Sequence, residues 1–354
     1  MSEIRLALIG AGAFGRKHLD VMSKKPGFGL AGIADPFDAG RALAERLGVP
    51  WNAEPEALLE AVRPDGAIVA TPNALHVPHG LACLRHGVPA LVEKPIAETP
   101  EGSLELAAAE STGVPLLVGH HRRHNPILEA ARAALAEGRI GRPVAIHLNW
   151  LIRKPDSYFE VPWRGQPGGG PVIINLVHEI DALRFVVGEI VAVQAMTAKA
   201  VRGLAVEDTA AITLRFESGA LGTVIVSDTV EAPWSWEMTS GENSAYPLQA
   251  AHNGLIAGTA GSLSLPDLEL WRHVERAGAE RGWNTALQRE RIPFVPDDAY
   301  QRQLHHFGRV VRRKEAPRVT ARDATRSLAV CLAIHEAART GREVMLGTDA
   351  GTAP

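Results

Sequence analysis

The sequence predicts an α/β protein in two parts, an N-terminal doubly wound parallel sheet followed by an α/β domain built on a large, mostly antiparallel sheet. Three observations carry that expectation. The apolar run Arg5-Leu6-Ala7-Leu8-Ile9 feeds straight into Gly10-Ala11-Gly12-Ala13-Phe14-Gly15 and then into helix-compatible residues. From Arg5 to Val118, short apolar runs alternate with helical patterns, which is the grammar of parallel βαβ units. From Val144 onward the strand-like segments lengthen and a hairpin turn appears, which is the grammar of antiparallel pairing.

The first run has the length and composition of a buried parallel strand, and Arg16 to Met22 has the character of a helix. The glycines sit at the junction. There Gly10 suits the tight turn, Gly12 lets backbone approach a pyrophosphate, and Gly15 lets helix and strand pack closely. Ala13 and Phe14 then lie at a helix N-terminus whose free N–H groups face the phosphates. A glycine pattern alone is weak evidence, and its context strengthens it. The second run, Leu30 to Ala34, ends in Asp35, where an acidic residue that accepts from the adenosine ribose 2′-OH is expected. Asp35 equally suits capping the helix after Pro36. The cofactor expected is NAD, with NADP as the alternative.

Next come a helix over Ala39–Leu47, a short strand near Val49, a helix over Pro55–Val62 and a buried strand at Ala67–Ala70. That strand runs into Thr71-Pro72-Asn73 with His76 close behind, at the carboxyl end of the sheet where ligands of doubly wound folds bind. Asn73 also fits a plain loop and cap. The strand Ala90–Val92 ends in Glu93-Lys94-Pro95, which holds a cation beside a carboxylate at the same edge, with proline fixing the backbone after it. A helix over Ser103–Ser111 and a strand at Leu116–Val118 precede His120-His121-Arg122-Arg123-His124-Asn125-Pro126. No carboxylate or cysteine spacing surrounds these histidines, so no metal site is expected. The domains expected are 1–125 and 126–354.

A helix over Ile127–Glu137 and a loop from Gly138 to Pro143 lead into the second domain. Its strands are expected at Val144–Leu151, Ile190–Lys199, Asp208–Phe216 and Ala220–Thr229, with Glu217-Ser218-Gly219 as a hairpin turn and one helix, Val172–Val187, between them. Residues Glu231 to Gly258 hold Pro233, Trp234, Trp236 and Pro247 with no clear period, and are expected to form a long functional loop or a surface-packed excursion. Helices over Asp298–Arg312 and Ala321–Thr340 end the fold, the second with Gly341 in a C-cap position.

Composition bounds the function. A length of 354 residues is enough for two domains, and a formal charge of -3 gives no basic footprint for nucleic acid and no reason to expect a membrane surface. Cys83 and Cys331 stand far apart without a CxxC spacing, so neither a disulfide framework nor a zinc site is supported. The first strand starts close to Met1, leaving no room for a signal peptide, and no apolar run approaches the roughly 20 residues that span a bilayer. A reducing, cytoplasmic compartment and a small-molecule substrate are the expectation.

Four motifs in order, Gly10 to Gly15, Glu93-Lys94-Pro95, Trp163-Arg164, and Gly168-Gly169-Gly170 followed by His178-Glu179-Ile180-Asp181, resemble the Gfo/Idh/MocA oxidoreductases. The resemblance covers nearly the whole chain. It implies a Rossmann domain joined to an α/β domain whose open sheet forms a subunit interface, hence a homodimer or homotetramer, and a sugar, polyol or related alcohol as substrate. By position, Thr71, Asn73 and His76 resemble the cofactor-proximal turn, Lys94 the catalytic lysine, and Trp163 and Arg164 residues near the nicotinamide. His178 resembles the active-site histidine. Glu93 joins the expected cofactor set, and Arg122, Asn175, Lys94 and His178 the substrate set. Oxidising a secondary alcohol needs a base for the hydroxyl proton and a cation for the developing alkoxide, tasks that suit His178 and Lys94. One departure stands out: many members carry aspartate four residues before the histidine, and here that residue is Ile174, with Asn175 beside it. Asn175 can orient a hydroxyl but cannot serve as a carboxylate base, so proton transfer rests more heavily on His178.

The function expected is therefore an NAD-dependent dehydrogenase of sugars or polyols. A non-catalytic sensor that binds dinucleotide and a partner protein is a second reading, which the presence of both Lys94 and His178 opposes. A glycosidase using NAD transiently is a third.

Overall fold

The computed structural model describes residues 2–273 and 282–347. In chain order the elements are β1 (Ile4–Ile9), α1 (Ala13–Ser23), β2 (Phe28–Ala34), α2 (Asp38–Leu47), β3 (Trp51–Asn52), α3 (Pro55–Val62), β4 (Gly66–Val69), α4 (His76–Arg85), β5 (Ala90–Val92), α5 (Pro100–Ala109), β6 (Leu116–Val118), α6 (Pro126–Ala136) and β7 (Pro143–Leu151). There follow α7 (Val177–Val186), β8 (Ile190–Ala198), β9 (Thr209–Phe216), β10 (Leu221–Ser227), α8 (Trp236–Thr239), β11 (Gly254–Gly258), β12 (Ser262–Leu265), β13 (Glu269–His273), β14 (Leu287–Arg291), α9 (Ala299–Val311), α10 (Ala321–Thr340) and β15 (Val344–Met345).

Within the described residues the chain forms two compact units, 2–124 with Asp297–Leu328, and Asn125–Pro296 with 329–347. The expectation that 126–354 forms one continuous second domain is thereby corrected. In the first unit all strand pairs are parallel and the order is β3-β2-β1-β4-β5-β6. The order reverses between β1 and β4, so the carboxyl ends of β1, β4 and β5 edge the crevice where such folds bind ligands. The central strands are buried along their whole length because helices cover both faces. Part of that cover comes from α9, whose Phe307 ring and Val311 pack so close to Gly66 on β4 that a Cβ there would meet Val311 at 2.9 Å.

The second unit is a nine-stranded sheet among the described residues, ordered β14-β13-β12-β11-β7-β10-β9-β8-β15. Every pair is antiparallel except β10 with β7, which is parallel. Alternation decides its faces. Ile146, Leu148 and Trp150 of β7, with Ile212, Leu214, Val224 and Val226, point to a core closed by Leu128 and Ala131 of α6, Ile180 and Leu183 of α7, and Ile334 and Ala337 of α10. The opposite face is open, with Met196, Leu221, Leu255 and Trp271 exposed.

Two further expectations change, and three strands lie where none was expected. The segment Glu231 to Gly258, expected to be irregular, contains α8, capped by the Ser235 hydroxyl, and β11, which pairs with β7. Strands β12 to β14 lie where sequence periodicity gave no signal, because each is short and β14 is solvated on both faces. The helix expected over Val172–Val187 opens as a π-helical turn, Val172–Leu176, before α7 begins. Such turns are rare and cluster at functional sites.

Candidate active site

The glycine loop leaves β1 with Gly10 at φ +92°, and a Cβ on Gly10 would lie 2.7 Å from the carbonyl oxygen of Ala70 and 2.8 Å from Thr71 Cγ2. Only glycine fits that turn. A Cβ on Gly15 would stand 2.0 Å from the Gly10 carbonyl oxygen, whereas one on Gly12 would meet nothing within 4 Å. The loop is thus compressed against the sheet at both ends and open in its middle, the shape a pyrophosphate needs. Gly12 precedes α1 with no side-chain cap, which leaves the first-turn N–H groups at Ala13, Phe14 and Gly15 for an anion.

Asp35 is buried at the end of β2, where its Oδ2 accepts from the Ala11 N–H at 2.7 Å and its Oδ1 from the Phe37 N–H at 3.0 Å. It braces the loop and the turn before α2 together. A carboxylate offers about four acceptor positions, so capacity for a ribose hydroxyl remains after these two bonds. These residues fit a dinucleotide.

The Thr71 turn and the Glu93-Lys94-Pro95 turn lie at neighbouring strand ends, and His76 ties them: its Nδ1 is 2.7 Å from the Pro95 carbonyl oxygen and its Nε2 2.9 Å from that of Thr71. With its ring buried and both nitrogens on main-chain oxygens, His76 is a strut between the turns. Asn73 begins a short 3-10 turn leading into α4. Lys94 carries its ammonium 6.0 Å from the centre of the half-exposed Phe14 ring, which places the lysine over the glycine loop.

Glu93 turns inward, where its Oε1 lies 2.6 Å from His18 Nε2 and its Oε2 accepts the Lys94 N–H at 3.2 Å. Burial pushes this carboxyl up, but the hydrogen bond and charge of His18, helped by Lys94 and His121, outweigh it and hold the group at about 2. A carboxyl depressed in the fold stabilises it above the ordinary carboxylate range and loses that contribution as pH falls toward 2. Glu93 is therefore ionised throughout the neutral range.

The histidine run after β6 packs rather than converging. His121 stacks on Tyr300 with ring centres 4.1 Å apart, and His124 lies tilted against His306 at 5.1 Å. Burial and the Arg318 charge lower His124 to about 2, so it is neutral. Among the described residues no group of three or more His, Cys, Asp or Glu is placed to hold a metal ion. Arg122 is buried, and its neighbour Arg123 pairs with Asp323.

In the second unit the Trp163-Arg164 turn and the triple glycine explain each other. A Cβ on Gly169 would sit 2.6 Å from the carbonyl oxygens of both Trp163 and Arg164, so the glycine lets that turn fold back against it. The Arg164 guanidinium lies 4.1 Å from the Tyr158 ring and donates to the Tyr158 carbonyl at 2.8 Å, while Trp163 stays half exposed. Gly170 is pressed by Glu207, to which a Cβ would approach within 2.3 Å. From there Glu207 accepts the Val172 N–H at 3.1 Å and caps the helical segment. From Val172 to Leu183, Ile174, Asn175 and His178 are partly exposed between buried neighbours, so the three share one face. Asn175 Oδ1 is shielded from solvent and accepts no hydrogen bond from the described residues.

Sequence reasoning missed His18, Glu207 and a buried charge cluster. Lys154 Nζ is 3.4 Å from Asp228 Oδ2 and 4.8 Å from the centre of the Tyr158 ring; burial lowers its pKa and Asp228 opposes that. The other Asp228 oxygen accepts Arg202 Nε at 3.0 Å. The one signal available for His18 was an imidazole on the apolar face of α1, beside Val21 and Met22. Cys83 and Cys331 are both buried thiols, with burial pushing Cys83 up to about 12.

Residues 4–120 match the family model described as "Oxidoreductase family, NAD-binding Rossmann fold", and residues 132–346 the one described as "Oxidoreductase family, C-terminal alpha/beta domain". The chain is 29% identical to a 1,5-anhydro-D-fructose reductase of Ensifer adhaerens, over 97% of this chain and 99% of that one. It is 28% identical to a scyllo-inositol 2-dehydrogenase (NAD(+)) of Bacillus subtilis (strain 168), over 97% and 96%. Its fold matches an Agrobacterium radiobacter oxidoreductase crystallised with NAD+, L-tartaric acid and magnesium, with a TM-score of 0.79, 22% identity and 99% of each chain covered.

Proposed function

Because the chain belongs to the Gfo/Idh/MocA oxidoreductase family, we propose that it transfers a hydride between NAD and a secondary hydroxyl of a sugar or polyol. The supporting observation is the seat of Lys94, at the carboxyl edge of the parallel sheet and over the glycine loop. When bound, the nicotinamide supplies the hydride acceptor. Lys94 stabilises the alkoxide that develops as hydride leaves, His178 takes the hydroxyl proton, and the unfilled acceptor of Asn175 orients a neighbouring hydroxyl. Arg122, Trp163 and Arg164 complete the set, the first toward substrate and the other two toward the nicotinamide.

The test is a screen for NADH formation with scyllo-inositol, myo-inositol, D-xylose and D-glucose, and for NADH consumption with 1,5-anhydro-D-fructose. Turnover of at least one supports the reading. Cleavage of a chromogenic glycoside without net NADH, or NADH binding without turnover of any of them, would replace it with the glycosidase or the sensor.

Cofactor choice follows from Asp35, whose buried carboxylate pairs with no cation among the described residues. A 2′-phosphate would meet that charge unscreened, so kcat/KM is expected to favour NAD over NADP by about tenfold or more. Equal efficiency with the two cofactors would show that Asp35 acts only as a loop brace.

The open sheet face suits a second copy of the chain. Leu221 registers with Ala145 and Arg215, Met196 with Ala211 and Leu255 with His147, so exposed apolar side chains sit among polar ones on this face, the mixture a subunit contact carries. We assign it to a subunit interface of a dimer or tetramer, and a monomeric mass by light scattering would refute this.

A further inference from the structure

We propose that His18 is a positioning residue for Lys94: it fixes the Glu93 carboxylate so that the Glu93-Lys94-Pro95 turn presents the lysine in a single geometry. The proposal rests on the catalytic reading of Lys94 given above. Its geometry is a short relay from α1 to the sheet edge. Glu93 Oε1 accepts from His18 Nε2 at 2.6 Å, and Glu93 Oε2 accepts the main-chain N–H of Lys94 at 3.2 Å. An ionised carboxylate only accepts, so the His18 proton sits on Nε2. The main chain of Glu93 is held as well, by its N–H on the Val69 carbonyl at 2.9 Å. On its other side the carboxylate packs against Gly119, where a Cβ would approach it to 3.1 Å.

His18 is equally fixed. Its ring meets Tyr300 edge-on with centres 6.0 Å apart, and the same tyrosine stacks on His121 and lies 3.7 Å beneath the Lys17 ammonium. His18 and Glu93 are 3% and 5% exposed. An apolar pair of similar volume would pack such a site at least as stably, since desolvating a charge is expensive. What the hydrogen-bonded pair adds is direction: one oxygen takes the histidine of the helix that starts at the glycine loop, and the other takes the lysine's own N–H. Cofactor loop and lysine are thereby held in one register.

Three variants test this, His18→Leu, His18→Gln and Glu93→Gln, with the polyol or sugar turned over fastest in the screen above. In His18→Leu, kcat is expected to fall about tenfold or more while the NADH Kd, read by fluorescence, stays within about twofold. His18→Gln, whose amide N–H can reach the same oxygen, should recover kcat to within about threefold of the parent. Glu93→Gln, with its fold intact, should repeat the His18→Leu loss and keeps the test open if leucine is not tolerated. A readout that needs no turnover is the rate at which acetic anhydride labels Lys94 in the NADH complex, read by peptide mass spectrometry. It should change about threefold or more in His18→Leu and little in His18→Gln. Folded His18→Leu and Glu93→Gln with kcat and labelling unchanged would overturn the proposal, as would a loss of NADH binding in step with kcat. If Lys94→Met keeps its activity, the catalytic reading fails instead, and the labelling still judges the His18 relay on its own.

Discussion

Lys94→Met is expected to lower kcat by about 10²–10³-fold while the NADH Kd moves by less than about threefold. Methionine keeps the apolar stem and removes only the ammonium, so the loss measures charge stabilisation rather than packing. The competing explanation is that Lys94 exists to neutralise Glu93. The structure weakens it, because Glu93 is already bonded by His18 at 2.6 Å and by the Lys94 main chain, and methionine leaves both bonds in place. Steady-state kinetics with fluorescence titration of NADH separate the two. A folded variant with nearly full kcat would sink the catalytic assignment of Lys94.

His178→Asn is expected to cost about 10²–10⁴ in kcat, the usual worth of a positioned general base, and to remove an activity-controlling ionisation near neutral pH. On the proposed reading the task falls to the His178 imidazole, because Ile174, four residues earlier, offers no carboxylate to share it. Below that ionisation the histidine is protonated and cannot accept the hydroxyl proton, so alcohol oxidation should rise with pH in the parent and flatten in the variant. Asn175→Ala should raise KM more than it lowers kcat, since an orienting acceptor acts on bound substrate and transition state alike. An unchanged pH profile in the folded His178 variant would move the base elsewhere, with a Lys94-led relay next to examine.

The first sheet was legible because burial on both faces forces near-continuous apolar runs, and because Gly10 and Gly15 sit where no side chain fits. The roles of Gly169 and Gly170 were not legible. Each makes room for a distant partner, the Trp163 and Arg164 carbonyls or the Glu207 carboxylate, and such approaches leave no local pattern. The same holds for His18, whose partner lies 75 residues away. His76 shows another such partner: its position beside the Thr71 turn suggests a cofactor contact, and the fold also brings its ring nitrogens to 2.7 and 2.9 Å from the Pro95 and Thr71 carbonyl oxygens. The β14 edge escaped because a strand solvated on both faces has no alternation to read.

The return of residues 297–328 to the first unit bears on how the chain is made. During synthesis the six parallel strands emerge long before α9, whose Phe307 and Val311 seal Gly66 and whose Gly308 lies against the Phe28 ring. Until the ribosome has delivered that helix, β1, β2 and β4 carry an uncovered apolar face. Domains usually fold in the order they leave the ribosome. Here the N-terminal unit cannot complete its cover until the second has been translated.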